Sequence, residues 1–171
     1  KDYPDIKMIY GVELYECFDT SVQDKNNKYF HLIALAKNEN GRKSLNKIIT
    51  KSNLENFYYK PRVQISDIVP FANDLVICSA CLASKIARES DYNKCVDYVQ
   101  EYKSVFPHFY LEMQSHSSED QSRYNQKILQ LAKDTQTDFV ITTDSHAATK
   151  ADLYYQARHV QIAHDTETLT E

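Results

Sequence analysis

A pair of potential metal ligands closes an apolar run late in the chain, where Asp144 and His146 follow the β-like residues 139–142. Successive side chains of an extended strand point to opposite faces, so residues spaced two apart point the same way. A carboxylate and an imidazole on one side of a strand end make up half of a typical transition-metal site. The spacing predicts a metal-binding pair, and both residues are also our candidate catalytic groups. The alternative is that Asp144 caps the next helix and His146 only hydrogen-bonds to it.

Three further donors belong to similar apolar runs, namely Glu13, His31 and Cys81. An α/β fold gathers the carboxyl ends of its strands on one side, where active sites are assembled. We therefore expect Glu13, His31, Cys81 and the Asp/His pair to form one cluster, with His116 as a secondary candidate near the end of another strand. Plainer alternatives remain open, because Glu13 could be an edge-strand charge and His31 a core histidine with one hydrogen bond.

The spacing of Cys78 and Cys81 is also that of a zinc knuckle or a redox pair. A structural zinc site needs a second pair, and Cys17 and Cys95 do not form one. We expect Cys78 to be a buried strand residue and Cys81 alone to act as a functional thiolate. Four scattered cysteines, with no signal peptide and no apolar span long enough for a membrane, favour free thiols in a reducing cytoplasm.

Composition excludes several function classes. The chain has 171 residues, 42% of them hydrophobic, which predicts one domain with a substantial core. Two glycines leave no glycine-rich phosphate loop, and a net charge of −4 argues against binding nucleic acid by bulk charge alone. The sequence also lacks a starting methionine and runs quickly into a strand, so we expect a piece of a longer protein.

Hydrophobic periodicity predicts the order β-β-α-β-α-α-β-α-β-α, an α/β fold with largely parallel strands. The predicted strands cover residues 8–16, 29–36, 75–78, 109–113 and 138–142. A loop is expected over residues 58–62. Three helices are predicted with both ends, over residues 38–52, 92–106 and 151–163. Three more are predicted by where they start, at a capping Ser66, just after Cys81 and at Ser118.

Six short motifs occur in an order that resembles the PHP (polymerase and histidinol phosphatase) domain of bacterial DNA polymerase III alpha subunits. The likeness extends through nearly the whole chain, and six motifs in one order are far more specific than any single one. They are Gly11-Val-Glu13-Leu-Tyr15, the stretch from Phe30-His31 to Gly41, Lys60-Pro-Arg62, Ser79-Ala-Cys81-Leu-Ala, Tyr110-Leu-Glu112-Met-Gln114 and Thr143-Asp144-Ser-His146.

The resemblance implies a distorted seven-stranded β/α barrel with metal ions at the carboxyl ends of its strands. Carried over by position, the ligands are Glu13, His31, Cys81, Asp144 and His146. Mixed nitrogen, oxygen and sulfur donors suit zinc or manganese better than calcium.

For function, the resemblance implies a DNA-directed DNA polymerase of DNA replication as the parent protein. Within that parent, this domain would be a metal-dependent phosphoesterase of the 3'-5' exonuclease type, with DNA and other replisome subunits as partners. Two alternatives are a catalytically inactive scaffold for the polymerase core and, less favoured, a free-standing PHP phosphoesterase.

The chain also departs from the family pattern. Family members begin with a His-x-His motif and a second motif ending in Asp-His, and this sequence has neither before its Gly-x-Glu element. We therefore expect residues 1–171 to form an incomplete barrel without its first strands, with a partial or absent metal cluster and no activity of its own. Exposed strand edges also predict self-association.

Overall fold

The computed structural model describes residues 5–26 and 29–164 of the chain, without the side chain of His164. Its strands are β1 (Gly11–Glu16), β2 (Phe30–Ala36), β3 (Phe57–Tyr58), β4 (Lys60–Val63), β5 (Leu75–Cys78), β6 (Phe109–Gln114) and β7 (Phe139–Thr142). Its α-helices are α1 (Glu39–Leu54), α2 (Ile65–Ile68), α3 (Lys85–Arg88), α4 (Tyr92–Val105), α5 (Glu119–Thr135) and α6 (Asp152–His164). A 3-10 helix, Val69–Asp74, connects α2 to β5. No helix among these residues is long and apolar enough to cross a bilayer.

Polar caps decide where the helices begin. The side chain of Asn38 accepts a hydrogen bond from the backbone N–H of Gly41 at 2.9 Å, and Ser118 accepts one from Gln121 at 3.2 Å. Such caps satisfy amide groups that have no partner within the helix, each typically contributing about 1 kcal/mol. The sequence therefore fixes the start of both long helices that flank the sheet.

The strands form one sheet in the order β3-β4-β1-β2-β5-β6-β7. The pairs β1–β4, β5–β6 and β6–β7 are parallel, and the pairs β1–β2, β2–β5 and β3–β4 are antiparallel. The predicted α/β class is confirmed, and the later strands are parallel as expected. Strand β2 runs antiparallel to both of its neighbours, so its amino end lies beside the carboxyl ends of β1 and β5. We call this edge of the sheet the rim.

Alternation along the strands separates an apolar outer face from a more polar inner face. On the outer face, Leu14, Leu32, Ile77 and Leu111 are at most 3% exposed, and they pack with the helices in one core. Burying a side chain of this size contributes about 1.5–3 kcal/mol. The helix residues of this core include Leu45 and Ile48 of α1, Val99 and Tyr102 of α4, and Ile128 and Leu131 of α5. The inner face is left for the residues with polar chemistry.

The predicted loop over residues 58–62 is wrong, because this segment forms the β3–β4 hairpin. Tyr58 pairs with Lys60, and Tyr59 at the turn has a φ of 59°. Arg62 is 1% exposed and donates to the backbone carbonyls of Thr20 and Val22, both at 2.8 Å. These long-range bonds hold β4 in place.

Three element boundaries also differ from the prediction. The first strand begins at Gly11 rather than at residue 8. Ser66 lies inside α2 instead of capping it, and the backbone N–H of the actual cap, Gln64, donates to Asp67 at 3.1 Å. The helix expected just after Cys81 begins at Lys85, because Ser84 caps it by accepting from the backbone N–H of Ala87 at 3.1 Å.

Candidate metal centre

Glu13, His31 and Cys81 are in contact at the rim. Tyr15 of β1 pairs with His31 of β2, and Glu13 lies two residues earlier on the same face of β1. An oxygen of Glu13, Oε1, is 2.6 Å from Nδ1 of His31, and Sγ of Cys81 is 3.4 Å from the same nitrogen. Three of the five predicted ligands thus form a continuous chain of contacts.

The contact with Glu13 orients the His31 ring. A carboxylate oxygen 2.6 Å from Nδ1 favours the tautomer that carries its proton on Nδ1. That tautomer leaves the lone pair of Nε2 as an acceptor. A cation bound to Glu13, His31 and Cys81 together would take the place of this Nδ1 proton, because Glu13 and Cys81 both lie beside Nδ1.

Cys81 lies directly after a strained turn at the end of β5. Ala80, which precedes it, has a φ of 63°, a left-handed conformation that costs about 1 kcal/mol or more for a residue with a Cβ. Burial raises the pKa of the Cys81 thiol, and the negative charges of Glu13 and Asp144 raise it further. The backbone N–H of Ala83, 3.5 Å from Sγ, acts in the opposite direction. A nearby cation would be required to favour the thiolate.

Asp144 and His146 follow β7 in a second strained turn, with Asp144 at a φ of 48°. Nδ1 of His146 is 2.8 Å from the backbone carbonyl oxygen of Asp144. Because a carbonyl only accepts, this contact requires the proton on Nδ1 and leaves Nε2 as an acceptor. The His146 side chain is 66% exposed, and its Nδ1 lies 3.8 Å from Oδ1 of Asp144.

Asp144 does not cap the following helix, which was the alternative considered from the sequence. Helix α6 begins at Asp152, whose carboxylate accepts from the backbone N–H of Thr149 at 2.9 Å and from its hydroxyl at 2.8 Å. The expected hydrogen bond between the two residues is present, since His146 bonds to the backbone carbonyl of Asp144.

Glu13, Cys81 and Asp144 line one cavity of about 360 Å³ against the inner face of the sheet, which we call the inner cavity. Its other lining residues come from neighbouring strands and are Ile33, Leu35, Val76, Cys78, Tyr110, Glu112, Gln114, Val140 and Thr142. Groups from β1, β5 and β7 therefore converge at one side of the molecule, as the topological argument required.

His146 and His116 lie on an adjoining surface. Together with Asp144 they line a cleft of about 480 Å³, which we call the outer cleft. Asp144 is common to both spaces, because it lines the inner cavity as well. The two histidines are thus neighbours of the inner cavity rather than part of its wall, and His116 is a companion of His146.

The donors fit a transition metal in kind, since carboxylate and thiol groups line the inner cavity and the His31 imidazole contacts two of them, Glu13 and Cys81. Within residues 5–26 and 29–164, no three His, Cys, Asp or Glu side chains are arranged as a closed metal site. The assignment of Glu13, His31, Cys81, Asp144 and His146 as ligands stays a prediction.

Sequence reasoning missed Glu112 as a member of the cavity. It is 4% exposed, and its Oε1 accepts a hydrogen bond from the Thr142 hydroxyl at 2.7 Å. Burial and then the charge of Glu112 raise the pKa of the neighbouring Cys78 to about 12. The signal was present, because Glu112 lies between the apolar residues Leu111 and Met113 of a strand and so faces the other side.

Comparison with known proteins identifies relatives. A family model described as PHP domain matches residues 1–116. The chain is 35% identical over 155 residues to a DNA polymerase III subunit alpha of Borreliella burgdorferi, with 86% of the chain aligned. Proteins of the same name from Treponema pallidum and Aquifex aeolicus are 31% identical over 156 residues and 32% identical over 162 residues, with 86% and 87% of the chain aligned. The aligned region spans only 13–14% of the length of these curated relatives.

Proposed function

The chain belongs to the PHP domain family, and from that premise we propose that it forms a metal-dependent phosphodiester-cleaving part of a bacterial replicative DNA polymerase. The proposal takes the polymerase context from relatives that are named DNA polymerase III subunit alpha. It takes the chemistry from the residues around the inner cavity.

One observation carries the proposal. Three carboxylates, those of Glu13, Glu112 and Asp144, line the inner cavity, and none of the described residues lining it is Lys or Arg. Among the described residues, only histidines lie within ion-pair distance of two of them, His31 at 2.6 Å from Glu13 and His146 at 3.8 Å from Asp144, and like charges brought together repel one another. A divalent cation in this cavity would offset that repulsion, so the cavity has the charge expected of a cation site.

Zinc or manganese held by Glu13, His31, Cys81, Asp144 and His146 would activate water and neutralise charge on a scissile phosphate. The protein's own part is to orient the donors. The carbonyl of Asp144 holds the Nδ1 proton of His146, so that ring presents Nε2 as a donor atom, whereas Glu13 and Cys81 both lie beside Nδ1 of His31, the nitrogen that a cation shared by these three groups would meet. The outer cleft, open beside Asp144, gives a phosphodiester strand access to these groups.

The test compares the intact parent polymerase with its Asp144→Asn and His31→Ala variants, because residues 1–171 alone are expected to be inactive. We expect the wild-type polymerase to purify with bound metal, or to take up Mn²⁺ or Zn²⁺, and to shorten a 5'-labelled single-stranded DNA from its 3' end. Both variants should lose metal and nuclease activity while keeping the wild-type circular dichroism spectrum. Equal activity in the variants, or nuclease activity that survives chelation, would reject the proposal.

A second candidate is a scaffold that supports a polymerase core without chemistry of its own. It is favoured by the lack of a closed three-donor group among the described residues and by the 66% exposure of His146. Metal analysis separates the two candidates, because a scaffold should neither purify with stoichiometric metal nor gain thermal stability when metal is added.

Partners and location follow from the proposed parent. DNA and other subunits of a replisome are the proposed partners, and the cytoplasm is the proposed location. The four cysteines support a reducing compartment, since Cys17, Cys78, Cys81 and Cys95 are all free thiols.

A further inference from the structure

Glu112 is a buried carboxylate whose charge the described chain does not balance. Its side chain is 4% exposed and lies in the wall of the inner cavity. Its Oε1 accepts from the Thr142 hydroxyl at 2.7 Å and, at the limit of hydrogen bonding, from Nε2 of Gln114 at 3.5 Å. Both donors are neutral, so these bonds solvate the charge without neutralising it.

The other buried acidic residues are different. Glu16, 2% exposed, lies 3.1 Å from the ammonium group of Lys85, and Asp67, 8% exposed, lies 2.6 Å from that of Lys51. Among the described residues, no Lys, Arg or His is within ion-pair distance of Glu112. This fold pairs its buried acids with a cation, and Glu112 is the exception.

Strand register places Glu112 beside the donors at the rim. Cys78 of β5 pairs with Ile33 on one side and with Tyr110 on the other. His31 on β2 lies two residues nearer the rim than Ile33, and Glu112 on β6 lies two residues nearer the rim than Tyr110. Both therefore face the inner side of the sheet. Glu112 is therefore level with His31, across the cavity that Glu13, Cys81 and Asp144 also line.

We propose that Glu112 is a further residue of the cation site, which contributes negative charge to the bound divalent ion and positions β7 through the Thr142 hydroxyl. The inference rests on the proposed function and adds a residue to it. Thr142 lies two residues before Asp144, and its carbonyl accepts from the backbone N–H of Ser115 at 3.2 Å. Glu112 thus acts on the ion by its charge and on Asp144 by fixing the strand that carries it.

The test is Mn²⁺ binding to the metal-stripped full chain, measured by isothermal titration calorimetry and by the shift in melting temperature. Glu112→Gln keeps the shape and an oxygen that can accept from Thr142, but it removes the charge. We expect the dissociation constant for Mn²⁺ to rise about 10- to 100-fold and the metal-induced stabilisation to shrink accordingly. The matched control is Glu55→Gln, which makes the same change in net charge at an exposed position and should bind Mn²⁺ like wild type.

Two further variants separate charge from hydrogen bonding and guard against misfolding. Thr142→Val removes the hydroxyl and keeps the charge, so it should weaken Mn²⁺ binding less than Glu112→Gln. If Glu112→Gln fails to fold, Glu112→Asp takes its place, because it keeps the charge. Folded Glu112→Asp should bind Mn²⁺, and a folded variant that does not bind it overturns the inference.

The outcomes distinguish this inference from the proposed function. If the wild-type protein binds Mn²⁺ and folded Glu112→Gln binds it with the same affinity, the role of Glu112 is overturned and the proposed metal site stands. A wild-type chain that binds no Mn²⁺ overturns both. A Thr142→Val loss as large as that of Glu112→Gln assigns the effect to the hydrogen bond and rejects the contribution of charge.

Discussion

Cys78 and Cys81 are three residues apart and have different environments. Cys78 is 4% exposed with a pKa raised to about 12, whereas Cys81 is partly exposed at the rim. Iodoacetamide at pH 8 should therefore modify Cys81 first, because Cys78 is buried and its raised pKa keeps its thiol protonated at that pH. Mass spectrometry of peptides from briefly treated native protein measures the order of modification.

The same experiment in denaturant is the control, since all four cysteines should then react at similar rates. The buried thiols Cys17 and Cys95, 2% and 0% exposed, should be protected in the native protein like Cys78. Modification of Cys78 as fast as Cys81 in the native state would contradict the prediction.

The sequence predicts which side of the sheet a side chain lies on, but not how the turns after the strands orient it. The gathering of strand ends on one side of an α/β fold predicted that Glu13, Cys81 and Asp144 lie around one space, and they line one cavity. This rule could not indicate that Asp144 adopts a left-handed backbone conformation or that His146 bonds to a carbonyl, because these depend on turn geometry. Glu112 was detectable as an inward-facing carboxylate from its apolar neighbours, Leu111 and Met113.

At the scale of single elements, Gly41 shows how a helix can depend on its neighbours. In an exposed helix, replacing Gly with Ala stabilises by about 1 kcal/mol. Gly41 lies in α1 against another segment, and a Cβ there would collide with the backbone carbonyl oxygen of Asp74 and lie 3.2 Å from Cα of Ala36. That carbonyl is held by the backbone N–H of Lys37 at 3.0 Å and cannot easily move.

We therefore expect Gly41→Ala to lower the free energy of unfolding by about 1–3 kcal/mol, as overpacking does. Urea denaturation measures the change. Asn46→Ala is the control at an exposed position of the same helix, where alanine should raise stability by up to about 0.7 kcal/mol. A gain in stability for Gly41→Ala would show that α1 can move away from Asp74.

Elements with a long periodic pattern were predictable, and short ones were not. The helices α1, α4 and α5 have apolar residues at regular spacing, and their predicted positions are confirmed. The β3–β4 hairpin has too few residues for a period and contains Pro61, so its strand character depends on long-range bonds of Arg62. The direction of β2 is likewise decided by its partners and not by its own residues.

At the scale of the whole molecule, residues 5–26 and 29–164 leave the apolar outer face of β7 exposed at the edge of the sheet. Phe139 is 42% exposed and Ile141 is 68% exposed, whereas the outer faces of β1, β2, β5 and β6 pack against helices. An exposed edge strand with apolar side chains is a template for association. We expect wild-type protein to show a sedimentation coefficient that rises with concentration, and Ile141→Lys to reduce that rise.

The control is Ile162→Lys, which introduces the same charge at an 81% exposed isoleucine on helix α6. It removes a similar apolar surface but leaves the strand edge unchanged, so the concentration dependence should persist. An equal reduction in both variants would assign the association to general hydrophobicity.

The antiparallel hairpin of β1 and β2 also affects the order in which the site can assemble. Glu13 and His31 meet across neighbouring strands joined by one connection, so their contact has a small loop-closure cost. Cys81 comes next along the chain, and Asp144 takes its place only after the β6–β7 ladder has formed. The donors would therefore come together in the order in which they leave the ribosome during synthesis. His31 and Glu13 would be in contact before the rest of the sheet is complete.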